Sequence, residues 1–218
     1  MNTECACIRI AMLEFPGFNE IDSLLALNML SRVRRPGWVV RVVAPTECVV
    51  SMNGLELKRD IRLEDVLTAD AVIVGSGTNA REWASDTDFL RAIRLNPEKQ
   101  LIGAQCSGAL ILASLGLLDN IPVCTDPVTR PWVQDAGIEV LDRPFHAQGN
   151  IATAGGCLAS QYLAGWIIAR LEGMEAAERA LHNVAPVGEK DEYVSRAMAH
   201  ITRFVTDRSA PPRVTTEA

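Results

Sequence analysis

The sequence predicts an α/β fold: a mainly parallel sheet flanked by helices on both faces, a flavodoxin-like sandwich. Strand-length apolar runs alternate with stretches of helical periodicity along the whole chain. Several of those runs are apolar at successive positions, as strands covered on both faces must be. One of them, Leu101 to Gln105, passes directly into Cys106 and then into a helix opened by Ser107 and Gly108. Strand, nucleophile and helix in immediate succession form a nucleophile elbow.

The first strand is Cys7 to Leu13, stopped by the turn chemistry of Phe15-Pro16-Gly17-Phe18. Ile21, Leu24, Leu25, Leu27, Met29 and Leu30 then recur at near-helical spacing. Trp38 to Ala44 is a second strand ended by Pro45, and Asn53-Gly54 joins Cys48–Met52 to Leu55–Lys58 as a hairpin. Asp70 to Gly75 is a buried strand, followed by Ser76-Gly77-Thr78-Asn79 and a helix from about Arg81 to Leu95. Beyond the elbow helix, Thr125 to Pro131 is a polar loop. A short helix at Trp132–Ala136 and a strand at Ile138–Leu141 follow it. Phe145 to Ala154 is a second hairpin turning at Gly149-Asn150, and Cys157 to Leu171 is a long apolar helix. Helices at Ala176–Val184 and Asp191–Val205 complete a single domain over 1–208, with a polar, proline-containing tail at 209–218.

With 218 residues the chain can bury a sizeable core. A net charge of −6 gives no electrostatic footprint for nucleic acid or an anionic membrane. No apolar run reaches the ~18–20 residues that span a bilayer, and Met1 to Cys5 lacks the basic start of a secretory signal. The six cysteines show neither framework nor metal-ligand spacing, so the expectation is reduced thiols, no metal and a cytoplasmic location.

In a parallel sheet, reactive residues gather beyond the carboxyl ends of the strands. Asp22, Gly75-Ser76-Gly77, Cys106-Ser107 and Thr125-Asp126 all follow predicted strands closely and are candidates for one pocket. A cysteine at a helix N-terminus is expected to favour thiolate. Gly75 to Ala80 also fits the Gly-x-Gly-x-x-Ala dinucleotide fingerprint, but Glu98 stands before the following strand instead of at its end. The alternatives are a plain glycine turn, or an oxyanion donor from the Gly77 N–H. No histidine adjoins Cys106, and His146, His182 and His200 have the settings of surface or core histidines. Asp22 either caps the first helix or shares one proton with Cys106, the neutral acid donating to sulfur. Cys157, following Gly155-Gly156, is a rival nucleophile without an elbow and is read as core or supporting residue.

Together these residues resemble the DJ-1/PfpI superfamily of class I glutamine-amidotransferase-like proteins. The resemblance rests on Phe15-Pro16-Gly17-Phe18 with Ile21-Asp22, the Asn53-Gly54 hairpin, and Val74 to Gly77. It rests above all on Ala104-Gln105-Cys106-Ser107-Gly108, with Gly149 to Gly156 before the long helix. It reaches to about Glu172. Within the superfamily the chain looks most like the isonitrile-hydratase-like branch, which pairs the elbow cysteine with an acid at the Asp22 position and has a small hydroxyl residue at the Ser107 position. The resemblance implies a cofactor-free, cytoplasmic homodimer with Cys106 as nucleophile, Asp22 as its acid, and Ser107 and Gly77 polarising the intermediate. The chain departs from that branch after Asp22, where no Gly-Pro follows, and at Cys124-Thr125-Asp126, where the family has Thr-Thr-His. The expected activity is attack on a small electrophile, with isonitrile hydration to a formamide as the specific case. The alternatives are a non-catalytic ligand-binding or oxidative-stress-sensing module, and a glyoxalase or deglycase activity that the missing histidine disfavours.

Overall fold

The computed structural model describes residues 7–205; the tail expected at 209–218 and Cys5 lie outside them. Five strands run parallel in one sheet: β1 (Ile8–Leu13), β2 (Trp38–Val43), β5 (Ala71–Val74), β6 (Leu101–Gln105) and β8 (Ile151–Ala154). An antiparallel edge strand, β7 (Phe145–Gln148), pairs with β8, so the order is β2-β1-β5-β6-β8-β7. The hairpin β3 (Cys48–Val50) and β4 (Glu56–Lys58) forms a separate two-stranded sheet.

Alternation along the strands divides the core in two. Ile10, Met12, Ile73 and Leu101 pack under α1 (Glu20–Ser31), α6 (Ser160–Leu171), α7 (Met174–Val184) and α8 (Lys190–Ile201). Ala11, Leu13, Val72, Val74, Ile102 and Ala104 face the opposite layer. That layer holds α2 (Ala80–Trp83), α3 (Thr87–Ala92), α4 (Gly108–Ser114) and α5 (Arg130–Asp135). Among the described residues no helix is long and apolar enough to cross a membrane.

Two expected elements differ. The helix at 81–95 is broken into α2 and α3, because the Asp86 carboxylate accepts the N–H groups of Asp88 and Phe89, each at 3.0 Å, and starts a new helix. The strand at 138–141 is reduced to one bridge, Val140 to Val123. Two hydrogen bonds hold it, from the Val123 N–H to the Glu139 carbonyl at 2.9 Å and from the Leu141 N–H to the Val123 carbonyl at 2.8 Å.

The chain leaves β1 toward β2 on one side and returns to β5 on the other. The crevice beyond the carboxyl ends of β1 and β5 is therefore the switch point where open α/β sheets place their ligands. The segments after β1, β5, β6 and β8 all arrive there.

Candidate active site

Strand β6 enters α4 through two residues, Cys106 and Ser107, and the Cys106 φ of +43° lies in the left-handed region. For a non-glycine residue this costs on the order of 1–3 kcal/mol and must be imposed by its surroundings. The Cys106 N–H donates to the Ala154 carbonyl at 2.7 Å, and the Cys106 carbonyl accepts the Thr125 hydroxyl at 2.8 Å. Gly108 lets α4 sit against the end of β5: a Cβ there would lie 2.5 Å from the Gly75 carbonyl oxygen.

The Cys106 side chain is buried, only 5% of the residue being exposed. Its sulfur accepts the Gly156 N–H at 3.3 Å and the Gln105 side-chain amide at 3.4 Å. Burial pushes the thiol far above its ordinary value. The Asp22 charge adds to this, the Gly156 N–H opposes it, and the Asp126 charge adds again. The thiolate expected from the helix N-terminus is thus overruled. A helix end contributes only about 0.3–1 kcal/mol in ordinary settings, less than the cost of burying an anion.

Asp22 lies in the first turn of α1, but it is not the cap. Asn19 holds that position, its side-chain oxygen accepting the Ile21 N–H at 3.1 Å. Asp22 is thereby left to face inward, 1% exposed. The Ser76 hydroxyl donates to its Oδ2, while Oδ1 has no hydrogen-bond partner among the described residues. Thus Asp22 and Ser76 come from either side of the switch point to meet the elbow.

Ser107 and Gly77 close on each other. The Gly77 N–H donates to Ser107 Oγ at 3.0 Å, and Ser107 Oγ lies 3.3 Å from the Gly77 carbonyl. The expected oxyanion donor is therefore occupied by Ser107. Glycine is required at position 77 for another reason, since a Cβ there would come 2.2 Å from the Gly17 carbonyl oxygen. Asp126 caps its own loop, accepting the Val128 and Thr129 N–H groups at 2.9 and 3.0 Å, and acts on Cys106 through its charge.

Three contributors were not singled out from the sequence. Glu14, at the end of β1, is 1% exposed and neither oxygen has a hydrogen-bond partner of good geometry. Its carboxyl occupies the space a side chain on Gly75 would take, a Cβ there falling 2.2 Å from Oε2. Burial pushes Glu14 up to about 8, the nearby Ser23 hydroxyl opposing and the Asp22 charge adding. A lone acid ending an apolar run was the signal for it. Gly156 supplies the N–H on sulfur, and Asn19 reaches Cys157 Sγ at 3.4 Å; both depend on long-range packing.

The three histidines lie on β7, α7 and α8. His146 packs on Phe204 and His200 on Tyr162, and none is among the groups acting on Cys106. Among the described residues no group of three or more His, Cys, Asp or Glu could hold a metal ion.

Comparison with known proteins bears on the fold and the family. The DJ-1/PfpI family model matches residues 8–170. A ThiJ/PfpI family protein from Pseudomonas syringae superposes with a TM-score of 0.74 at 21% identity, covering 93% of this chain and 90% of its own. DJ-1beta of Drosophila melanogaster gives 0.70 at 21% identity over 82% of this chain and 98% of its own. A DJ-1 superfamily protein of Salmonella typhimurium gives 0.70 at 24% identity over 82% and 99%. No curated protein sequence matches the chain. With the family model spanning both Asp22 and Cys106, the chain belongs to the DJ-1/PfpI family.

Proposed function

We propose that this protein is a cysteine-dependent enzyme acting on a small carbon electrophile, with hydration of an isonitrile to an N-substituted formamide as its reaction. One observation carries the reading: a buried acid with an unpartnered oxygen, Asp22, acts on the elbow thiol, and no histidine does. Cysteine nucleophiles are ordinarily activated by an adjacent base. Here the neighbour is a buried acid whose charge holds the proton on the thiol, and that proton has a use.

The Cys106 sulfur attacks the terminal isonitrile carbon as its own proton passes to the Asp22 carboxylate. Asp22 delivers that proton to the same carbon, leaving a thioimidate. Water adds to the thioimidate carbon. Breaking the carbon–sulfur bond then releases the formamide, and the thiol regains its proton. The Gly156 N–H at 3.3 Å stabilises the departing thiolate. Ser107 and Gly77, bonded to each other, form a fixed wall beside the sulfur.

Homodimerisation is part of the reading. Ile21, Met52 and Leu158, which are 54%, 45% and 66% exposed, supply apolar surface around the start of α1. Sedimentation at the monomer mass would remove that part.

The test is incubation of purified protein with a simple alkyl isonitrile, formamide being followed by mass spectrometry. Wild type is expected to turn over and Cys106→Ser to be inert. Absence of product, where a known hydratase run alongside gives it, sinks the substrate assignment. The burial of Cys106 would then favour the second reading, a slow thiol that senses or binds without turnover.

A further inference from the structure

The proposed hydration leaves Cys157 unused, yet the Asp22 charge acts on this thiol as it does on Cys106. Burial raises Cys157, and the Asp22 charge is the next cause, as it is for Cys106. One carboxylate thus acts on both thiols. The backbone ties them more closely still: Gly156, whose N–H lies 3.3 Å from the Cys106 sulfur, is the residue immediately before Cys157.

We propose that Cys106 and Cys157 are a redox dithiol: a hydroperoxide oxidises Cys106, and Cys157 resolves the product to an intramolecular disulfide. In the first step the Cys106 sulfur attacks the terminal peroxide oxygen. The O–O bond breaks, an S–O bond forms, and the thiol proton leaves with the departing alkoxide as an alcohol, or as water if the oxidant is hydrogen peroxide. In the second, the Cys157 sulfur attacks the Cys106 sulfur, the S–S bond forms and the S–O bond breaks. The Cys157 proton passes through Asp22 to the leaving hydroxide, which departs as water. The two thiols thus supply the two electrons that reduce the peroxide, and a small external dithiol restores them by exchange.

Each part of the second step has a residue. A resolving thiol must be accessible and nucleophilic, and Cys157 is half-buried where Cys106 is almost wholly covered. The Asn19 side-chain amide donates to the Cys157 sulfur at 3.4 Å and favours its anion. That amide is held still because its oxygen caps α1. Cys157 opens a single 3-10 turn, Cys157–Ala159, behind Gly156. Gly156 has φ +91° and open space where a side chain would be, which supplies the joint that brings Cys157 toward the elbow. Cys124 has none of this: it is fully buried, its thiol is pushed up to about 12, and Asp22 does not act on it.

The experiment treats purified full-length protein with one equivalent of hydrogen peroxide, blocks free thiols and maps peptides without reduction, beside intact mass. Wild type is expected to lose two hydrogens and yield a linked Cys106–Cys157 peptide that a small dithiol reverses. Cys157→Ser and Cys157→Ala are both expected to gain oxygen at Cys106 instead, and Cys124→Ser to cross-link as wild type does. Cys106 sulfinic acid in wild type with Cys157 free overturns the proposal, as does a cross-link from Cys106 to any other cysteine. The readout needs no isonitrile turnover, so its failure is separate from failure of the hydration assignment.

Discussion

Glu14 is the residue whose chemistry is most exposed to pH. Unfolded, it ionises near its ordinary 4.5; folded, burial holds it protonated up to about 8. Between these values the folded chain binds the extra proton, so stability falls as pH rises through the window and levels off above it. At pH 7 the loss is on the order of 3 kcal/mol. Glu14→Gln copies the neutral acid and cannot ionise. Its melting temperature relative to wild type is therefore expected to rise from pH 5 to pH 8, by several degrees over the window. A difference between the two proteins that does not change with pH contradicts the burial of a titrating carboxyl at this position.

At the scale of elements, the site depends on α4 and β5 coming close enough for Cys106 to stay in its left-handed conformation. Gly108 sets that approach, because a Cβ would meet the Gly75 and Val74 carbonyl oxygens at 2.5 and 2.6 Å. Those are backbone atoms and cannot rotate away, so Gly108→Ala must displace α4. The expected cost is about 1–3 kcal/mol, read as a lowered midpoint in urea. An unchanged midpoint would mean that the helix is not clamped. Elements were also where the sequence was most legible. The alternation of Ile10 and Met12 against Ala11 and Leu13 shows a strand with two covered faces, and Asn53-Gly54 allows little but a hairpin. Legibility failed where a local competitor decided the outcome: Asp86 capped a new helix inside an apolar period.

Across the whole molecule, the sheet order brings Asp22 from beyond β1, Ser76 from beyond β5, Cys106 from β6 and Gly156 from beyond β8 into one crevice. The strand-end positions of the first three could be read from the sequence. Their electrostatics could not. Whether Cys106 is a ready thiolate or a suppressed thiol depends on burial and on which neighbours carry charge, and both are products of packing. The same holds for Gly77, whose N–H looked free until Ser107 was folded onto it. The central claim is that the Asp22 charge acts on the Cys106 thiol, and the direct measurement is the rate of Cys106 alkylation against pH, read by peptide mass, in wild type and Asp22→Asn. Removing the Asp22 charge removes one of the causes that hold the thiol up. The Asn protein is therefore expected to alkylate at lower pH and several-fold faster near pH 8, while isonitrile turnover is lost. Superimposable alkylation profiles in the two proteins would contradict the pairing.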